Sequence, residues 1–266
     1  MQFNLLPEAE IVGQHLSQDE FFDWMFSHPS GWEGLVAIDT ETTGIDSIRD
    51  MPVFGSASDG KRRFLFDVQT MLDSRWDDLF LDDSREWAFA NAKFDMHMLY
   101  NVGMHEIRGV VHDVIVMCAL LDENRKEKNA LNLKSQSLDY LGIPMTPFKE
   151  FFGINAKEEE TGKKLLSCPI DKVAAYATLD AYATHALAYQ HRPNLEEYSI
   201  KSIVGYKNLW DYYIDLEVPI TKALWRMERR GFCLDLDVLQ SVEEPIVERR
   251  RDALEELIRL AKFPIN

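Results

Sequence analysis

Hydrophobic residues along the chain fall into short blocks whose spacing alternates between strand and helix periods. After a polar Ser17-Gln18-Asp19 start, Phe21, Phe22, Trp24, Met25 and Phe26 predict a short capped helix over 15–28. Leu35–Ile38 is a compact run with β-branched members that breaks at Thr42-Thr43-Gly44, as a buried strand does. Two more strands are expected at 51–57 and 63–68, joined by the turn Ser58-Asp59-Gly60-Lys61 into an antiparallel hairpin beside the first. A fourth is expected at 87–90 and a fifth at 109–112, each leading into a helix, at 93–101 and at 114–123. A polar loop over 123–129 then precedes a helix at 131–141 that stops at Gly142-Ile143-Pro144. The segment 145–168, with Pro147, Gly153 and Gly162, reads as surface chain, and a long helix is expected over 170–190, broken at Pro193.

Beyond about residue 195 no strand pattern returns, and helices are expected at 203–230 and 236–262, split by Gly231. The expected architecture is α/β, in two parts, 1–195 and a helical 196–266. Charge changes at the same place: residues 1–195 carry 18 basic and 31 acidic side chains, net −13, and residues 196–266 carry 11 and 14, net −3. The 266 residues are 46% hydrophobic, enough for a real core and against disorder. No run approaches a membrane span, and MQFNLLPEAEIVGQ lacks a signal peptide's basic flank and apolar block, so the expected location is cytoplasmic.

A total formal charge of −16 argues against a broad basic footprint for nucleic acid, but not against an enzyme whose metal ions supply positive charge locally. Cys118, Cys168 and Cys233 are far apart and read as reduced thiols, Cys118 within a core helix; the seven scattered histidines form no metal-ligand spacing.

Three short segments carry candidate chemistry. Asp39 and Glu41 lie two apart at a strand end, so their carboxylates project from one face, where they repel unless a cation lies between them. Asn91-Ala92-Lys93-Phe94-Asp95 follows a strand and enters a helix; alone it is explained by capping through Asn91 with Asp95 in the first turn. Tyr176 and Asp180 share a face of the long helix at i, i+4 spacing. Together, four carboxylates on three segments of an α/β fold are what a two-metal phosphodiester-cleaving site needs, with oxygen ligands suited to Mg²⁺ or Mn²⁺.

The trio AIDTETTG, NAKFD and YATLD resembles the three exonuclease motifs of the DEDD superfamily in its tyrosine branch, most closely the 3′→5′ proofreading domains of family A DNA polymerases, over about residues 30–190. The histidine branch would need His at 175, where Ala175 stands. The resemblance implies a ribonuclease H-like mixed sheet flanked by helices, two divalent ions, and a single-stranded DNA 3′ end as substrate. It implies that Asp39 bridges both metals, Glu41 and Asp180 complete one site, Asp95 holds the other, and Tyr176 with Glu41 orients the attacking water. It also places the Thr40 backbone at the 3′ end of the substrate, Asn91 along the substrate groove and Ile45 as a wedge against the terminal base. Phe148 corresponds to a base-stacking aromatic, with Phe151 and Phe152 as competitors and a plain hydrophobic plug as the alternative. Arg125, Lys126, Lys128 and Lys134 are candidate backbone contacts, though a solvated surface is the better reading of each, and Lys93, inside the second motif and near the metals, is a stronger candidate; Trp24, Trp32 and Trp76 read as core or domain-edge residues.

The tail LEVPITKALWRMERRGFCLDLDVLQ resembles the join between exonuclease and polymerase in the same family. Its apolar positions Ile220, Leu224, Trp225 and Met227 are expected to dock on the exonuclease domain or on a polymerase portion, either a separate chain or one missing from this sequence. An RNA-trimming exonuclease and an inactive interaction module are the alternative functions.

Overall fold

The computed structural model describes residues 6–122, 131–154, 160–200 and 205–261. Six strands form one mixed sheet: β1 (Ala9–Ile11), β2 (Val36–Thr42), β3 (Pro52–Ser58), β4 (Arg63–Asp67), β5 (Glu86–Phe89) and β6 (Val110–Asp113), in the order β1-β4-β3-β2-β5-β6. The β2-β3-β4 meander is antiparallel, whereas β5 and β6 continue parallel from β2, and β1 pairs parallel with β4. The helices used below are α1 (Gln18–Phe26), α2 (Ala92–Asn101), α3 (Val114–Leu121), α4 (Leu133–Gln136), α5 (Phe148–Phe152), α6 (Ile170–Glu197), α7 (Val218–Arg230) and α8 (Leu236–Ala261).

Period-two alternation divides the core. Val36 and Ile38 of β2 and Trp87 and Phe89 of β5 enter one cluster with Phe21, Phe22 and Trp76; Leu35, Ala37 and Ala88 enter another on the opposite face, with α3 and α6. The small side chains Ala174, Ala177, Ala181 and Ala183 are all but inaccessible along α6, which lets this helix lie close on the sheet. Ser56 of β3 fixes its height by donating a hydrogen bond to the Ala177 carbonyl at 2.8 Å. Trp24 and Trp76 are buried, as expected, and Cys118 is a buried thiol outside any disulfide.

As expected, the first strand carries the acidic residues at its end and stops at Thr42. Three local expectations need correction. The helix expected over 131–141 is a single turn, α4, followed by a π-turn over Ser137–Leu141. The segment 145–168 contains two short helices, α5 and Thr161–Leu166. Pro193 does not end α6, which continues to Glu197: the buried side chains of His191 and Leu195 hold the last turns against the body, outweighing the ~3 kcal/mol that an interior proline removes.

Contact density divides the chain into two compact units, Met1–Arg229 and Arg230–Asn266. The shift in composition at 195 and this edge mark different things, because residues 205–229 pack with the first unit. Val218, Thr221 and Trp225 are buried on one face of α7, and Trp225 joins the first core cluster beside Tyr100. Ile220, Leu224 and Met227 lie on another face and are exposed, so the four apolar positions expected to dock together do not. The second unit is α8, none of whose residues is buried. Among the described residues, no helix is long and apolar enough to cross a membrane.

Candidate metal and nuclease site

Residues 37, 39 and 41 share a face of β2, with Leu35 just before it, so the alternation that buries Ala37 under α6 also turns Asp39 and Glu41 toward that helix. Asp180 comes to meet them from α6. Carboxylate oxygens of Asp39, Glu41 and Asp180 lie within 4.8 Å of one another, a donor set that fits a hard divalent cation. Thr40 points the other way and fixes the fourth acid: its N–H and its hydroxyl donate to one oxygen of Asp95, at 3.0 and 2.6 Å.

The electrostatics are those of buried acids that outnumber the one ammonium beside them among the described residues, that of Lys134. Burial, and then the charges of Asp95, Asp180 and Glu41, hold the Asp39 carboxyl well above its usual range. Burial and Asp180 push Glu41 up to about 8. Burial raises Asp95 to about 7 against the two Thr40 hydrogen bonds, and burial raises Asp180 against the pull of Lys134. The Tyr176 phenol is raised by burial and by the charges of Asp180, Glu41 and Asp39, so it stays protonated.

Tyr176 is ringed by all three candidate stacking residues, with ring centroids of Phe148, Phe151 and Phe152 at 5.8, 5.2 and 5.1 Å. Phe148 and Phe152 also pack against the small core cluster of Val53, Phe54 and Leu165, to which Phe151 does not belong. On the fourth side is Lys134, whose ammonium lies 4.7 Å from the Tyr176 ring centroid.

Asn91 does not cap α2 with its side chain. It adopts a left-handed conformation, φ 75°, the only non-glycine residue at positive φ among those described, and its side chain is exposed. The start of α2 is held by Asp113 at the end of β6, which accepts the N–H groups of Asn91 at 3.1 Å, Ala92 at 2.8 Å and Ile115 at 2.9 Å. One carboxylate therefore anchors the N-termini of both α2 and α3. Asp113→Ala should lower stability by about 2–3 kcal/mol, because one buried and two part-buried donors lose their acceptor; urea unfolding checks this, and a change below about 0.5 kcal/mol would contradict it.

Ile45 is half exposed just past β2. Lys93 is not directed at the acids: its ammonium pairs with Glu228 of α7, which also receives His97 Nε2 at 2.9 Å. Asp39, Glu41, Asp180 and Tyr176 therefore converge, Asp95 is one hydrogen bond away through Thr40, and Asn91 and Ile45 are exposed. Arg125, Lys126 and Lys128 lie outside the described residues. Sequence reasoning missed the anchoring by Asp113 and the Glu228 clamp; it took Lys134 for a backbone contact or a solvated surface cation, and no spacing links residue 134 to residue 180.

Comparison with known proteins agrees with this geometry. A family model described as 3′-5′ exonuclease, for the domain of family A DNA polymerases, matches residues 13–196. DNA polymerase I of Synechocystis sp. is 29% identical over 160 residues, covering 59% of this chain and 14% of that protein. Among solved structures, the POL domain of Pol1 from M. smegmatis, in complex with DNA primer-template and dNTP, superposes with TM-score 0.70 at 18% identity, over 97% of this chain and 38% of that one. RNase D of Escherichia coli, an exoribonuclease involved in structured RNA processing, superposes with TM-score 0.57 at 13% identity, over 86% of this chain and 52% of that one. The sheet and its flanking helices are ribonuclease H-like, and the chain spans only a fraction of the length of the polymerase it matches.

Proposed function

The chain belongs to the family of 3′-5′ exonuclease domains of family A DNA polymerases, and from that premise we propose that it is a metal-dependent 3′→5′ DNA exonuclease that proofreads for such a polymerase. The observation that carries this reading is the convergence of Asp39, Glu41 and Asp180 with Tyr176 beside them. Asp39, Glu41 and Asp180 would hold one divalent ion, Mg²⁺ or Mn²⁺, and Asp39 with Asp95 a second. When bound, such ions activate water and offset charge on the leaving oxygen.

The protein's own groups do the rest. The protonated Tyr176 hydroxyl, with Glu41, orients the attacking water in line with the scissile bond. Water oxygen bonds to phosphorus, the P–O3′ bond breaks, and the proton leaves with the new 3′ hydroxyl, releasing a 5′-mononucleotide. The Thr40 backbone positions the 3′ end, Asn91 lines the substrate groove, and Ile45 wedges against the terminal base. An aromatic of the 148–152 cluster stacks on a base without regard to sequence, Phe148 by the family's pattern. Lys93 reaches substrate only by leaving Glu228. Residues 1–195 constitute the nuclease domain and 196–266 the link toward a polymerase portion, in the same protein or in a partner chain.

Digestion of 5′-labelled single-stranded DNA, beside RNA of the same sequence, with Mg²⁺ or with EDTA, tests the proposal. A ladder that shortens from the 3′ end, on DNA and only with metal, supports it; preference for RNA, or cleavage in EDTA, overturns it. Tyr176→Phe should lower the single-turnover rate by about 10- to 100-fold, less than loss of Asp39, since only one orienting hydrogen bond is removed. Equal losses would mean that the phenol does more than position water.

A further inference from the structure

Lys134 is the one cation inside the acid cluster's immediate surroundings among the described residues that the geometry places in direct contact with a cluster carboxylate. Its Nζ donates to both oxygens of Asp180, at 3.1 and 2.9 Å, and both side chains are largely shielded, 22% and 11% exposed. The backbone beneath it is fixed. Asn132 caps the single turn of α4 on the Ser135 N–H at 2.8 Å, and the buried Gln136 binds His191 of α6 at 2.8 Å and the Leu131 carbonyl at 2.6 Å. The ammonium thus sits at the end of a flexible four-carbon stem on a rigid support.

We propose that Lys134 is the resident counter-cation of this site: it holds Asp180 in place when no divalent ion is bound, and releases Asp180 when one binds. The inference rests on reading the cluster as a metal site. Both Asp180 oxygens are engaged by the ammonium, so an ion that uses either must displace at least one of those contacts. An ammonium and a divalent cation on one shielded carboxylate repel strongly, because little water separates them. Once the three acids are ionised, one ammonium still leaves the cluster negative, so a divalent ion remains attracted after the exchange. Lysine suits the task better than arginine, whose planar fork would lock a carboxylate through two parallel hydrogen bonds. The consequence is that the protein sets its own metal affinity below the value its acids alone would give.

Mn²⁺ titration of the full chain without nucleic acid, followed by the paramagnetic resonance signal of the free ion, tests the exchange. Lys134→Met should bind Mn²⁺ about tenfold more tightly than the unaltered protein, since a competing positive charge has gone. Lys134→Arg, which keeps the charge and grips the carboxylate through two parallel hydrogen bonds, should bind Mn²⁺ no more tightly than the unaltered protein. The work is done at about pH 8.5, where protons compete less for the acids than at neutral pH. A gain in affinity is a result that mere loss of a structural contact does not produce. Unchanged or weaker Mn²⁺ binding by folded Lys134→Met overturns the proposal; if circular dichroism shows that this variant is unfolded, Lys134→Gln gives the same comparison. Absence of Mn²⁺ uptake by the unaltered, folded protein would overturn the metal-site reading together with this inference, whereas uptake that Lys134→Met leaves unchanged overturns only the latter.

Discussion

Replacing Asp39 and Glu41 together by alanine is expected to lower exonuclease activity by ~10³-fold or more while leaving the metal-free protein as stable as before, or melting up to about 5 °C higher. The two halves of this result have one cause. Both residues lie on the face of β2 that meets Asp180, where their oxygens come within 4.8 Å of one another and of that acid. In a shielded site such charges repel, and burial already holds Asp39 and Glu41 above their usual ionisation range. A cation turns that repulsion into binding energy, so the acids are needed for the reaction and unfavourable for the empty fold. Activity assays on labelled DNA and calorimetry in EDTA check the pair of outcomes. Substantial residual cleavage would refute the assignment, and a large fall in metal-free stability would mean that the two acids are structural.

The second large effect is a stability that depends on pH in opposite ways with and without metal. Burial raises Asp39, Glu41, Asp95 and Asp180 in the folded protein, Glu41 to about 8 and Asp95 to about 7. The folded state therefore keeps protons that the unfolded chain has released. Stability from these groups is fully present below their ordinary values of 3.8 and 4.5, and is lost as pH rises through the folded values. In EDTA, the melting temperature should fall by several degrees between about pH 6 and about pH 8.5. With saturating Mg²⁺ the fall should vanish or reverse, because an ion that binds the ionised acids competes with protons. Asp39→Ala/Glu41→Ala should flatten the EDTA profile. Differential scanning calorimetry across this range decides the matter: parallel profiles with and without Mg²⁺ would contradict it.

Much of this architecture was legible in the residues because it follows from periodicity. The strand blocks at 51–57, 63–68, 87–90 and 109–112 each match an observed strand to within a residue or two, and the Asp39/Glu41 and Tyr176/Asp180 spacings put each pair on one face as expected. What was missed depends on tertiary contact. β1 is three residues long, too short for any alternation, and exists because β4 offers it an edge. α6 passes Pro193 because His191 and Leu195 are buried around it. Asn91 resembled a helix cap, yet the capping is done by Asp113 from another strand, which leaves Asn91 in a strained left-handed conformation with its side chain exposed. The apolar tail residues were read as one docking face, but Trp225 alone of the four is buried, and its partner is the core behind α2. Lys134 and Asp180 are 46 residues apart, and nothing local marks them as partners.

The metal-dependent reading is tested most directly by anomalous diffraction from crystals of the unaltered protein grown with Mn²⁺. The expected result is a strong anomalous peak about 2.0–2.3 Å from carboxylate oxygens of Asp39, Glu41 and Asp180, with the Lys134 ammonium withdrawn from at least one Asp180 oxygen. Well-diffracting crystals with no peak among these three residues, or with Mn²⁺ bound only elsewhere, would contradict it.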